Sequence, residues 1–195
     1  ETAVPTIPYR ETISRKSEGH CRHKKQTGGA GQFGEVYLRV EPMPRGEGFE
    51  FVNAIVGGVI PSQFIPAVEK GVRQGLEGGA FAGFPIQDVR VTVYDGKYHA
   101  VDSKEIAFVS AGRKAFLEAI AKANPVVLEP IADVEITAPS ESMGDVAGDL
   151  SSRRGRVSNT DSLAAGVVAI SGQVPLAEME DYQSKLKSMT GGEGN

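Results

Sequence analysis

The sequence predicts an α+β fold in two parts: a split β-α-β unit over residues 1–125 and a shorter β-α-β-β-α unit over residues 126–195. Three observations predict it. Alternation such as Val89, Val91 and Val93 against Arg90, Thr92 and Tyr94 marks strands, and four-residue apolar spacing, as in Phe64, Val68 and Val72, marks helices. The third is glycine: 24 residues, about 12% where roughly 7% is usual, which implies many tight turns.

Taken in order, strands fit residues 9–14 and 20–26, and a glycine-rich loop leads into a strand at 35–41. The Pro- and Gly-rich run 42–48 is loop chemistry and precedes a strand at 49–55, which Gly57 and Gly58 break. A helix follows from Pro61, with Phe64, Ile65, Val68, Val72 and Leu76 on one stripe and Pro66 confined to the first turn. Gly78 and Gly79 stop it. The valine strand then turns at Asp95-Gly96. Asp102 and Glu105 make a D-x-x-E capping box for a helix whose apolar face is Ile106, Val109, Phe116, Leu117 and Ile120.

Ala123-Asn124-Pro125 reads as a junction. Beyond it come a strand at 131–137, a helix opened by Pro139 and Ser140 with Met143, Val146, Ala147 and Leu150 inward, and strands at 156–159 and 164–174. Pro175 opens a last helix with Leu176, Met179, Leu186 and Met189 inward. One more strand would make this second unit ferredoxin-like, but residues 190–195 do not read as one.

Composition narrows the function. Hydrophobic content of 40% and charged content of 24% suit a globular protein. The single Cys21 excludes an internal disulfide framework and a cysteine-rich zinc site, favouring a reducing, cytoplasmic setting. No apolar run has the roughly 18 residues of a membrane span, and no signal peptide opens the chain. A start at Glu1 suggests a piece of a longer protein. The net charge of -4 is uneven: residues 1–125 hold 16 Lys and Arg against 14 Asp and Glu, residues 126–195 hold 5 against 11. Residues 10–25 concentrate six cations, including Arg22, Lys24 and Lys25, against Glu11 and Glu18, which suits a polyanion or a solvated strand face.

Motifs for catalysis fail one by one. Residues 29–36, GAGQFGEV, fit the kinase glycine-loop pattern, yet the catalytic-loop and metal-aspartate motifs are absent, and a strand follows where a Rossmann turn needs a helix. His20, Cys21 and His23 sit on a strand whose neighbours alternate faces, so they do not converge on a metal. His99, Asp102 and Ser103 are the residue types of a hydrolase triad, but their place before a helix favours capping. Glu129 and Glu135 would need a pocket to act as a catalytic pair. The glycine loop is therefore expected to be a hairpin turn.

At Gln26-Thr27-Gly28-Gly29-Ala30-Gly31-Gln32-Phe33-Gly34 the chain resembles the C-terminal part of translation elongation factor G. The resemblance also covers Tyr9-Arg10-Glu11-Thr12-Ile13, GFEFVNAIVGGVIP at 48–61, YDGKYHAVDS at 94–103, Leu128-Glu129-Pro130, GDVAGDL at 144–150, Arg153-Arg154-Gly155 and VPLAEM at 174–179. It implies the fourth and fifth domains of a five-domain ribosomal translocase: an elongated, ribosomal-protein-like α/β unit followed by a ferredoxin-like one lacking its last strand.

By that resemblance, tip loops 26–33 and 95–102 hold the tRNA–mRNA duplex in the decoding region during translocation. Lys24, Lys25, Gln26, Thr27, Gly28, Gly29, Gly31, Gln32, Lys97 and His99 are then the expected RNA contacts, with Arg153 and Arg154 either facing ribosomal RNA or capping the end of the helix before them. The fragment is expected to be monomeric, to bind no membrane, metal or cofactor and to have no catalytic site, GTP and Mg belonging to a missing GTPase domain. Ala30 stands where the family has Arg. Lys97, Lys104, Glu180-Asp181 and Gly191-Gly192-Glu193 also depart from its pattern. Such departures suit an elongation-factor-G-like paralogue, and the alternative role is a recycling or ribosome-protection factor that displaces a ribosomal ligand.

Overall fold

The computed structural model describes residues 6–26 and 28–195. These form two compact units, one of Tyr9–Leu128 and the other centred on Glu129–Asn195. In the first, β1 (Arg10–Ile13) pairs antiparallel with β6 (Pro125–Leu128) as a separate ribbon. The main sheet has β2 (Ser17–Lys25), β3 (Gln32–Pro42), β5 (Val89–Lys97) and β4 (Phe49–Asn53) in that spatial order. Only β4 and β5 are parallel, and helix α1 (Ile65–Gly78) is the crossover that such a pair requires. After β5, α2 (Glu105–Lys122) lies against α1, β2 and β3.

Both helices cover one sheet face. Val36, Leu38 and Val40 of β3 and Val89, Val91 and Val93 of β5 point into it and meet Val68, Val72, Phe108, Phe116 and Ile120. Two expectations change here. Asp95 and Gly96 are not a turn: the register slips after Val93, a bulge takes up Tyr94, and both residues continue the ladder opposite Tyr37 and Val36. The inward stripe of α2 is largely alanine (Ala107, Ala111, Ala115, Ala119), which lets the helix lie close to the sheet, and Ile106 is 60% exposed.

The loop before β4 is pinned by Asp88. Its buried carboxylate accepts hydrogen bonds from the backbone N–H groups of Gly46 (3.1 Å) and Gly48 (3.0 Å), the Arg45 guanidinium (3.1 Å) and the Gln87 amide (3.0 Å). Burial alone would push this carboxyl up, but the Gly48, Arg45, Gln87 and Gly46 donors outweigh it and hold it below its usual value. A depressed native value means stability present above about pH 4 and lost as pH falls through it. Urea unfolding between neutral and acid pH should show this loss, and Asp88→Asn should flatten that limb; an unchanged acid profile in the variant would remove Asp88 from the account.

The second unit has β7 (Ile131–Pro139), α3 (Met143–Ser152), β8 (Arg156–Ser162), β9 (Val167–Pro175) and α4 (Tyr182–Met189). Its antiparallel sheet runs β7-β9-β8. Ile136, Val146, Leu150, Ile170, Val174, Tyr182 and Leu186 form its core. Strand β9 runs through Pro175, so the last helix starts seven residues later than expected, at Tyr182, after a 3-10 turn, and Leu176 is exposed. Met143 is also partly exposed, 42%, at the first turn of α3. Asn195 exchanges both backbone hydrogen bonds with Thr137 (2.8 and 3.0 Å), on the edge of β7 that β9 leaves free. No helix among the described residues is long and apolar enough to cross a membrane.

Candidate nucleic-acid interface

The β2–β3 hairpin closes at the Lys25–Gln32 pair, and Glu35 of β3 pairs with Lys97 of β5. The hairpin turn and the loop after β5 therefore emerge at the same end of the sheet. Phe33 ties them together. Its N–H donates to the Asp102 carbonyl (2.9 Å), and its own carbonyl accepts the Ser103 hydroxyl (3.1 Å). Ser103 Oγ in turn accepts the His99 N–H (2.7 Å).

The expected capping box is thus absent. Helix α2 starts after Lys104 with no side-chain cap, because Ser103 is spent on stapling the two loops and Asp102 is turned toward Gly31. A Cβ on Gly31 would lie 2.8 Å from the Asp102 carboxyl carbon, so a larger residue there would turn the Asp102 side chain aside. Gly28 has φ of +50°, and Gly28 and Gly29 are exposed. Thr27 lies outside the described residues.

His99 organises the second loop. Its Nδ1 accepts from the N–H groups of Val101 (3.3 Å) and Asp102 (3.2 Å), which assigns the proton to Nε2. That Nε2–H has no partner among the described residues, and the side chain is 55% exposed. Lys24, Lys25 and Lys97 are exposed and form no salt bridge among the described residues. Lys24, Gln26, Gln32, Lys97 and His99 come together around a hollow of about 180 Å³. Arg22, Phe33, Tyr98 and Asp102 complete it, and the sequence reading does not mark these four as site residues. For Arg22 the signal is present, since it shares a strand face with Lys24.

Arg153 and Arg154 belong to the second unit. Arg153 bonds Asp149 (2.9 Å), Asp181 (3.0 Å) and the Glu178 carbonyl (2.6 Å) and lies over the Tyr182 ring, joining α3 to the start of α4. Burial, reinforced by Asp149, pushes the Tyr182 phenol up to about 12. Arg154 holds Glu129 through both guanidinium nitrogens (2.6 and 3.1 Å) and Glu178 through Nε (3.1 Å). Its hydrogen bond holds the Glu129 carboxyl below its usual value.

The two histidines of β2 do not share a site. His20 bonds Glu35 (2.7 Å) on one face of β2, and His23 bonds Gln32 (3.0 Å) on the other. Among the described residues no three His, Cys, Asp or Glu side chains converge as a metal site needs. A larger hollow, about 580 Å³, opens on the second unit's sheet over Asp133, Glu135, Arg156, Ser158, Ser171 and Gln173.

Fold and site together define a two-unit α+β protein with a stapled, basic, glycine-rich loop end. Residues 5–124 match the family model for elongation factor G, domain IV, and residues 126–195 that for the elongation factor G C-terminus. The chain belongs to the elongation factor G family of translation elongation factors.

The elongation factor G-like protein of Thermotoga maritima is 51% identical over 194 residues, covering 100% of this chain and 28% of that protein. Elongation factor G of Aquifex pyrophilus is 50% identical over 190 residues, 97% of this chain and 27% of that one. A crystal structure from Thermus thermophilus superposes with a TM-score of 0.90 at 44% identity, over 100% of this chain and 29% of its own. The chain thus spans little more than a quarter of these relatives.

Proposed function

We propose that the tip carrying loops 26–33 and 95–102 engages the tRNA–mRNA duplex in the decoding region of the ribosome and promotes translocation. The observation that carries this reading is the set Lys24, Lys25, Lys97 and His99 Nε2–H, unpaired among the described residues, around two loops stapled through Phe33. Lysines neutralise phosphates without reading sequence, which suits a ligand whose bases change at every codon. His99, Gln26 and Gln32 supply donors and acceptors for sugars and base edges. The parent is a cytoplasmic GTPase whose GTP and Mg are held by a domain outside this chain. Arg154, 55% exposed, reaches ribosomal RNA by exchanging its carboxylate partners, whereas Arg153, 13% exposed, serves the fold.

The test is His99→Ala in a full-length factor. Losing the two hydrogen bonds that order the second loop slows translocation on the order of tenfold, about 1.4 kcal/mol in barrier, with ribosome-stimulated GTP hydrolysis retained. An unchanged rate in a rapid-mixing assay defeats the proposal. Release of a ribosomal ligand without movement of mRNA would instead support the recycling or protection role.

A further inference from the structure

The four-stranded sheet has a second face, which α1 and α2 leave uncovered. On it three flat, nitrogen-bearing side chains each rest on an aromatic ring. His20 stacks on Tyr37 with centroids 4.2 Å apart and planes at 21°, Arg39 lies 4.9 Å from the Tyr94 centroid, and Arg22 lies 5.5 Å from that of Phe33. Tyr37 and Tyr94 are themselves 6.3 Å apart. The His20 and Arg39 side chains are both 41% exposed. Glu35 fixes the His20 ring through Nε2 (2.7 Å), and Glu18 lies 3.7 Å from Arg39 Nε.

We propose that this face is a stacking surface for the unpaired bases of purine-rich single-stranded RNA. Imidazole and guanidinium planes are stacking partners for bases, and a plane already held over an aromatic ring loses little freedom when a base is added. His20 and Arg22 lie two apart on β2, about 6.8 Å by strand rise, so successive planes are offered along one direction. Carboxylates lie among them: Glu35 beside His20, Glu18 beside Arg39, and Glu41 and Glu50 beside Arg90. These offset phosphate attraction, so stacking and not charge supplies the affinity, and binding responds weakly to salt. Duplex RNA keeps its base faces inside the helix and is a poor ligand.

Arg22 and Phe33 also line the hollow at the loop end, so this surface adjoins the site proposed above, but its test uses no ribosome. Fluorescein-labelled oligoadenylate is titrated with the chain, followed by anisotropy and by quenching of tyrosine emission, which the absence of tryptophan makes readable. The expected result is binding of the single strand at least tenfold tighter than of an RNA duplex of equal length. Replacing Arg22 and Arg39 together by Lys keeps both charges, removes both planes and weakens binding about tenfold. Arg73→Lys, removing the guanidinium that lies over Phe49 on the helix-covered side, leaves binding unchanged. Equal affinity of the double Lys variant and the parent, equal affinity for duplex, or no binding of oligoadenylate overturns the proposal.

Discussion

Glu11→Ala is expected to lower the stability of the first unit by about 4 kcal/mol. Glu11 is fully buried, and its carboxylate accepts the backbone N–H groups of Ala80 (3.3 Å), Phe81 (2.8 Å) and Phe84 (2.7 Å). Its own N–H donates to the Pro85 carbonyl (2.8 Å), and its carbonyl accepts the Gln87 N–H (2.9 Å). One side chain thus supplies the polar partners of a loop that would otherwise turn its donors into the protein. Truncation orphans three donors at about 1–3 kcal/mol each, partly recovered by entering water. Glu11→Gln should cost less, because one amide oxygen still accepts while the NH₂ faces donors. Denaturant unfolding measures both; a loss below about 1 kcal/mol for the Ala variant would show that water replaces the carboxylate.

Gly19→Ala is expected to cost about 3 kcal/mol by overpacking. A Cβ at this position of β2 would collide with the carbonyl oxygen of Ala115 and lie 2.8 Å from the nitrogen and 2.9 Å from the Cβ of Ala119. The obstacles are mainly helix backbone, so α2 must lift from the sheet instead of a side chain rotating away. That displacement propagates to Phe108 and Phe116, which are fully buried on the same helix. Unchanged stability, with the α2 amides protected from exchange as in the parent, would mean that β2 yields instead.

Much of this architecture is legible in the chain. The alternating valines of β5 and the four-residue spacing of α1 state their periods outright. What stays hidden is set by partners distant in sequence. Asp95-Gly96 has turn chemistry, but pairing with Tyr37 and Val36 overrides it. Asp102 and Ser103 have the spacing of a cap, yet their partners are Gly31 and Phe33, some seventy residues away. Arg153 and Arg154 look free in the sequence because Asp181, Glu178 and Glu129 are brought to them only by folding. At the candidate interface the residue types are readable from the resemblance. The hydrogen bonds that orient His99, and the rings beneath His20, Arg22 and Arg39, require the fold.

The ribbon of β1 and β6 is the strand pairing of the first unit with the longest sequence separation. Its four pairs join Arg10–Ile13 to Pro125–Leu128, so it forms only after a loop of more than a hundred residues has closed. The hairpin β2–β3 and the β4-α1-β5 crossover are far more local and need no such closure. The ribbon therefore acts as a late latch, added to a sheet that already has its helices. For a chain emerging from synthesis, Glu11 waits for its loop, and the first unit completes itself only once residue 128 is free.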